Sequence, residues 1–201
     1  MGAIVWITGL CGSGKTTIAS GLDEMFRRDN IPSCVIDGDE LRSRLNSDLG
    51  FSPEDRTENI RRATVMAIGM ARSGRLVCVA LVSPCKSDRQ KARETVLASG
   101  LRFIEVFLDC PLAICEARDP KGLYRKARAG EISGFTGIDA PYEVPENPEI
   151  VICTGSELPG ESISTLAAFV GVKLGLSSEE EKCGAPHRML TPSGDSTVSA
   201  R

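Results

Sequence analysis

The sequence predicts an α/β fold with three layers, α/β/α, built on a mainly parallel five-stranded sheet. Five short apolar segments have the length and composition of strands: 3–8, 33–37, 76–82, 103–109 and 149–153. Helical stretches lie between and after them, near 15–29, 54–73, 87–99, 111–118 and 161–174. Strands that alternate with helices in this way form parallel sheets with helices on both faces.

Periodicity separates the two kinds of element. The segment 76–82 (LVCVALV) is an unbroken apolar run, which is typical of a strand buried on both faces. In the stretch 58–71, apolar residues recur at the spacing of one helical face, and they are Ile60, Ala63, Ala67 and Met70. The charged residues of this stretch fall on other faces, so it is predicted to be an amphipathic helix.

The first strand runs directly into a glycine-rich loop that matches G-x-x-x-x-G-K-[S/T] from Gly9 to Thr16. In this pattern the glycines bring backbone N–H groups against a polyphosphate, Lys15 reaches the β- and γ-phosphates, and the Thr16 hydroxyl can bind Mg²⁺. The following helix adds the positive end of its dipole. The pattern predicts a P-loop NTPase-like fold, against the alternative of a glycine-rich turn that binds nothing. The loop residues expected to bind ATP are Gly9, Cys11, Gly12, Ser13, Gly14, Lys15, Thr16 and Thr17.

The second predicted strand ends at one carboxylate, Asp37, and a second, Asp39, comes two residues later. Ligands of open α/β sheets bind at the carboxyl ends of the strands, so these side chains are expected at the site. One carboxylate can hold Mg²⁺ through water, and the other can accept the proton of an acceptor hydroxyl. Either aspartate could instead cap the N-terminus of a helix.

Two polar segments, 38–57 and 119–147, interrupt the alternation of strands and helices. Long irregular segments in a compact domain are often lids or binding loops. In the first, Arg42 and Arg56 could form a fork for a second anionic substrate, and Phe51 could stack on a base. Taken separately, each of these residues could also be a solvated charge or an aromatic that anchors a loop.

Three stretches of sequence resemble one family. They are DGDELRSRLNSDLGFSPEDRTENIRR, ALVSPCKSDR and CEARDPKGLYRKARAGEISGFTGIDAPYEVPENPEI. They are similar to the acceptor-site segment, the strand-end Ser-Pro motif, and the lid with its following motif in adenylyl-sulfate (APS) kinases. The similarity runs in order from Ile4 to about Ile152. Where the family usually has Ser-Pro-aromatic-Arg, this chain has Lys86 in place of the arginine.

The resemblance implies a kinase that moves the γ-phosphoryl group of ATP, with Mg²⁺, to the ribose 3′-hydroxyl of APS, which gives PAPS and ADP. It implies that Asp39 is the base and a metal-associated carboxylate, together with Thr16 at the metal, and that Asp37 supports it. It places Ser83 near the transferred phosphoryl group. The residues it implies at APS are Asp39, Arg42, Phe51, Arg56, Asn59, Ser83, Lys121 and Phe135, with Phe51 and Phe135 on either side of the adenine.

The segment 118–130 is rich in basic residues and is predicted to be part of a lid over ATP that spans about 118–147. The alternative is an exposed basic helix face. The resemblance favours Arg118 as an ATP contact and Lys121 as a substrate contact. It also implies a homodimer.

Composition limits the classes of partner. The chain has 201 residues, 41% of them hydrophobic, which suits one domain over 1–176 with a disordered tail over 177–201. The net charge of −3 argues against nucleic-acid or membrane partners. The early first strand and the absence of a long apolar run predict a cytoplasmic protein. The eight cysteines include no C-x-x-C pair, which argues against a zinc site.

Two other functions are consistent with a P-loop. One is another small P-loop kinase with a sugar, shikimate-like or nucleotide acceptor, which the DGD and FTGID motifs argue against. The other is a kinase-like sensing module that binds PAPS without turnover. Such a module is expected to lack Lys15, Thr16 or Asp39, and this chain has all three.

Overall fold

A computed structural model of the chain describes residues 2–176, so the predicted disordered tail over 177–201 lies outside the described residues. The strands are β1 (Ala3–Thr8), β2 (Ser33–Asp37), β3 (Leu76–Ala80), β4 (Arg102–Leu108) and β5 (Ile150–Ile152). The helices are α1 (Lys15–Arg28), α2 (Gly38–Ser43), α3 (Pro53–Arg72), α4 (Lys86–Ala98), α5 (Leu112–Arg118), α6 (Leu123–Arg128) and α7 (Pro159–Leu174). Within residues 2–176, no helix combines the length and the apolar character needed to cross a bilayer.

The five strands form one sheet in the order β2-β3-β1-β4-β5, and all four pairings are parallel. This confirms the predicted parallel five-stranded sheet. β1 lies at the centre, between β3 and β4. The chain places β2 and β3 on one side of β1 and then β4 and β5 on the other, so the strand order reverses at β1. In open α/β sheets this switch point forms the ligand crevice at the carboxyl ends of the strands.

Helices cover both faces of the sheet, which confirms the three layers. Every residue of β1 is buried, and its side chains alternate between two apolar clusters. Val5 and Ile7 pack on the face covered by α1 and α7. Ile4 and Trp6 pack on the face covered by α3 and α4. Burial on both faces explains why β1 reads as an apolar run without polar alternation.

The two polar segments are not irregular throughout, which corrects the sequence prediction, because they contain the short helices α2 and α6. The Asp37 carboxylate caps α2 by accepting the backbone N–H groups of Asp39 and Glu40 at 2.9 and 3.4 Å. The Asp119 carboxylate accepts those of Tyr124 and Arg125, both at 3.0 Å. Each helix has six residues, of which one is buried, so neither has enough apolar positions to show a helical period.

The packing of α7 on α1 is expected to be essential for stability. Leu166 is fully buried in the apolar cluster that also holds Leu22 and Phe26 of α1. Leu166→Ala should lower the free energy of unfolding in urea by about 2–5 kcal/mol, because it leaves a cavity between the helices. Val172→Ala on the same helix is the control. Val172 is 72% exposed, and its loss should change stability by about 0.5 kcal/mol or less. Equal stability of the two variants would contradict this packing.

Candidate active site

A cavity of about 720 Å³ opens at the carboxyl edge of the sheet. The glycine-rich loop, the first turns of α1 and α2, the end of β3, α3 and the lid segment all contribute to it. Gly9, a predicted ATP ligand, is not among its lining residues. The predicted site residues that line it are Cys11, Gly12, Ser13, Gly14, Lys15, Thr16, Thr17, Asp37, Asp39, Arg42, Phe51, Arg56, Asn59, Ser83, Arg118, Lys121 and Phe135.

The glycine-rich loop has the backbone that the motif predicts. Gly12 and Gly14 have φ of 77° and 94°, in the left-handed region that favours glycine. A Cβ at Gly12 would also lie 2.9 Å from the carbonyl oxygen of Cys115. α1 begins directly after Gly14, so the N–H groups of its first turn are at the cavity. The first N–H groups of this 14-residue helix have no acceptor within the helix, and the positive end of its dipole lies at the loop. Within the loop, the Ser13 N–H donates to the carbonyl oxygen of Leu10 at 3.1 Å.

Lys15 lies over this loop. Its Nζ donates to the carbonyl oxygen of Leu10 at 2.7 Å. Burial of the ammonium group lowers the pKa of Lys15 to about 8, and nearby acidic groups oppose the shift. An anionic ligand would stabilise the charged form of this lysine and raise its pKa again.

Thr16 and Asp37 join α1 to the end of β2. The Thr16 hydroxyl donates to Asp37 Oδ2 at 2.7 Å, and Asp37 Oδ1 caps α2. The helix-cap alternative is therefore correct for Asp37, alongside its place in the cavity. The Thr16 oxygen keeps its lone pairs, and the carboxylates of Asp37 and Asp39 line the same cavity. All three are oxygen ligands of the kind that suits Mg²⁺.

Asp39 faces the lid. Its side chain is 66% exposed and forms an ion pair with Lys121, which lies between α5 and α6. These residues are 82 positions apart in the chain. The basic lid segment is therefore more than an exposed helix face, since one of its cations reaches the carboxylate edge.

Arg42 packs against Phe51 on one side of the cavity. Its guanidinium lies 4.5 Å from the centroid of the Phe51 ring and donates to the carbonyl oxygen of Gly50 at 2.6 Å. Burial lowers the pKa of Arg42, and the neighbouring charge of Arg56 acts in the same direction. Phe51 itself is 67% exposed. The Phe51 ring is therefore held by an arginine at the cavity mouth with most of its surface exposed, as suits an aromatic that stacks on a base.

Arg56 connects α3 to the segment after the lid helices. Its Nε donates to the carbonyl oxygen of Phe51 at 3.0 Å. Its two Nη atoms donate to Thr136 Oγ1, at 2.6 Å, and to the carbonyl oxygen of Gly134. Phe135 lies between these last two contacts and packs edge-on against Tyr124, with ring centroids 5.0 Å apart. One arginine therefore holds the backbone beside both predicted stacking aromatics.

Asn59 and Ser83 are both buried at the cavity wall. Asn59 Oδ1 accepts from Asn46 Nδ2 at 2.9 Å. The Ser83 hydroxyl accepts from the indole N–H of Trp6 at 3.0 Å and donates to the carbonyl oxygen of Leu81 at 3.2 Å. Ser83 has a φ of 38°, which is uncommon for a residue other than glycine.

Arg118, the last residue of α5, connects the glycine-rich loop to the segment that follows β5. It donates to the carbonyl oxygens of Gly12 at 3.3 Å and Thr154 at 2.7 Å. The Thr154 hydroxyl in turn donates to the carbonyl oxygen of Ser13 at 2.8 Å.

The sequence prediction omitted the wall that follows β5. Its residues are Thr154, Glu157, Pro159 and Ser162. The signal that could have identified them is the one used for Asp37 and Asp39, because a parallel strand ends at the same sheet edge just before Thr154.

Comparisons with known proteins identify the family. The family model described as adenylylsulphate kinase matches residues 1–153. An adenylyl-sulfate kinase of Clostridium kluyveri is 46% identical over 173 residues, which cover 86% of this chain and 85% of that one.

Solved structures agree. The APS kinase of Mycobacterium tuberculosis, in complex with AMPPNP and APS, is 46% identical with a TM-score of 0.82, over 84% of this chain and 97% of that one. A hexameric APS kinase from Thiobacillus denitrificans is 26% identical with a TM-score of 0.64, over 86% of this chain and 29% of that one. The chain described here belongs to the adenylylsulphate kinase family.

Proposed function

We propose that this protein is an adenylyl-sulfate kinase, which transfers the γ-phosphoryl group of ATP to the 3′-hydroxyl of APS and gives PAPS and ADP. The observation that carries the proposal is that the P-loop, two carboxylates, the Arg42–Phe51 pair, Arg56 and Phe135 all line one cavity. A coupled assay of ADP release tests it, with APS compared against AMP and simple sugars. Release that does not depend on APS would contradict it.

The P-loop side of the cavity suits ATP. Backbone N–H groups from Gly12 to Thr16 would contact the phosphates, and Lys15 would exchange the Leu10 carbonyl for a phosphate oxygen. Arg118, at the end of α5, donates to the Gly12 carbonyl of this loop and would contact the nucleotide. Thr16 and Asp39 would hold Mg²⁺, which neutralises charge on the β- and γ-phosphates when it is bound.

The opposite side suits APS. Phe51 and Phe135 offer aromatic surfaces for the adenine, and Arg42 and Arg56 provide cations for the phosphosulfate. Asn59 adds an amide at the same wall. Arg56 also supports the backbone of both aromatics, so its loss is expected to affect adenine and anion binding together.

The carboxylate edge suits the transfer step. As the bond from O3′ to the γ-phosphorus forms and the bond from that phosphorus to the β-bridging oxygen breaks, the hydroxyl proton passes to Asp39. Lys121, paired with Asp39 in this structure, would turn to the anionic substrate when it binds, which frees the Asp39 carboxylate for this proton. Ser83 would contribute a contact and not a nucleophile, because its hydroxyl is already hydrogen-bonded to Trp6 and to the carbonyl oxygen of Leu81.

Two further proposals concern the oligomeric state and the cellular location. The homodimer rests on the family resemblance, and the hexameric relative shows that assembly varies among similar proteins. The cytoplasmic location and the disorder of 177–201 remain predictions from the sequence.

Asp39→Asn tests the base. The amide cannot accept the hydroxyl proton, so kcat should fall about a hundredfold or more, while APS binding measured by calorimetry changes little. Glu40→Gln is the control, because Glu40 is the next residue of α2 and pairs with Arg44 outside the cavity. A kcat of Asp39→Asn equal to that of Glu40→Gln would exclude Asp39 as the base.

Phe51→Ala tests adenine stacking. Stacking of a base on an aromatic side chain is worth about 1–3 kcal/mol, so the KM for APS should rise about 5- to 150-fold, with little change in the KM for ATP. Leu45→Ala removes a similarly exposed apolar side chain that does not line the cavity. The stacking role is wrong if both variants have the wild-type KM for APS.

The pKa of Lys15 predicts a pH dependence of ATP binding. Phosphate favours the ammonium form, so above the free-protein pKa of about 8 binding must first take up a proton. Affinity should be level just below that pH and fall above it by up to about tenfold per pH unit. Calorimetry over this range measures it. Lys15→Arg, which does not titrate there, should lose the slope, and a level wild-type profile would contradict the assignment.

A further inference from the structure

A buried network of charges lies behind the cavity, between α4 and the sheet. Arg89 and Arg93 of α4 share the carboxylate of Glu105 on β4, with contacts of 2.9 and 3.0 Å. Arg93 also forms two contacts with Glu149, of 2.5 and 2.8 Å. Arg89 is 3% exposed, so its charge needs both an ionic partner and hydrogen bonds to be tolerated.

The remaining donors of Arg89 point toward the reaction edge and not into the network. Its Nη1 donates to the backbone carbonyl oxygens of Ser83 at 2.7 Å and Pro84 at 3.2 Å. Its Nη2 donates to the carbonyl oxygen of Glu143 at 2.7 Å. One guanidinium therefore holds two chain segments that are 60 positions apart. They are the Ser-Pro loop after β3 and the stretch around Glu143 near the end of the predicted lid, called the lid return below.

The same two segments are joined by further contacts. The Glu143 N–H donates to the carbonyl oxygen of Pro84 at 2.9 Å, and the Glu143 carboxylate accepts the N–H of Lys86 at 2.6 Å. Beside them, the Tyr142 hydroxyl lies 2.9 Å from Thr8 Oγ1 at the end of β1. Arg89 is the buried centre of this junction, and the Glu143 side chain is its exposed part.

Ser83 needs such support. Its φ of 38° is unfavourable for a side chain larger than hydrogen and persists only where surrounding contacts maintain it. The Trp6 indole holds the Ser83 hydroxyl, and Arg89 holds the Ser83 carbonyl.

We propose that Arg89 is a positioning residue for phosphoryl transfer, which fixes the Ser83-Pro84 loop and joins it to the lid return at Glu143. The inference rests on the proposed kinase function. A guanidinium is required because its planar fork can donate to Glu105 and to three carbonyl oxygens at once, whereas an ammonium group presents its donors from a single nitrogen.

Arg89→Lys, compared with Arg93→Lys, tests the proposal. Both variants keep a cation beside Glu105, and only the first loses the contacts to Ser83, Pro84 and Glu143. At a temperature where both are folded, kcat should fall at least tenfold in Arg89→Lys, with the KM for ATP within twofold of wild type. In Arg93→Lys, kcat should stay within twofold of wild type.

Trp6 supplies a readout that loss of stability alone would not change. It is the only tryptophan of the chain, and its indole donates to the Ser83 hydroxyl. Its fluorescence should therefore differ from that of wild type in folded Arg89→Lys. Arg93→Lys is compared by kcat alone, because Arg93 lies over Phe103, which stacks on Trp6. Equal kcat in the two variants, with wild-type fluorescence in Arg89→Lys, would overturn the proposal.

A second pair of variants keeps the test valid if Arg89→Lys does not fold. Glu143→Ala removes the exposed carboxylate that accepts the Lys86 N–H and should lower kcat at least threefold. Glu146→Ala removes only a surface partner of the Lys86 ammonium and should leave kcat unchanged. Equal kcat in this pair would overturn the proposal.

A wild-type protein without APS-dependent ADP release would instead contradict the proposed function, so the two failures are distinguishable.

Discussion

The position of β1 is the constraint on which the rest of the structure depends. It is buried on both faces and paired on both edges, with Ile7 opposite Ala80 of β3 and Val106 of β4. Because every strand is parallel to it, the glycine-rich loop, the two aspartates at the end of β2 and the serine after β3 all emerge at one edge. Three stretches that are remote in sequence therefore line one cavity.

The cations at this edge already have partners within the protein. Lys15 donates to a carbonyl oxygen of its own loop. Arg118 donates to the carbonyl oxygens of Gly12 and Thr154, and Lys121 pairs with Asp39. Under the proposed function, substrate binding would be an exchange of acceptors, with phosphate or sulfate oxygens replacing carbonyl and carboxylate oxygens. Such an exchange keeps the cations ordered before the substrates arrive, so less conformational entropy is lost on binding.

Local patterns account for what could be predicted. The strands, the loop and the Asp37–Asp39 pair follow from short-range periodicity and motif spacing, and the strand ends lie within two residues of the predicted ones. No bounds were predicted for the short helices α2 and α6, because six residues with one buried position show no period. The family model ends at residue 153, but α7 beyond it completes one apolar cluster.

The sequence by itself determined the fold class, the phosphate loop and most of the residues that line the cavity, because the strand, the glycine-rich turn and the ends of parallel strands are local patterns. Only the tertiary structure decided what each charged side chain contacts. Arg56 reaches Thr136 across 80 positions, and Arg89 reaches Glu143 across 54. The physical reason is that a long side chain can reach many acceptors, and packing of distant segments determines which of them is within hydrogen-bond distance.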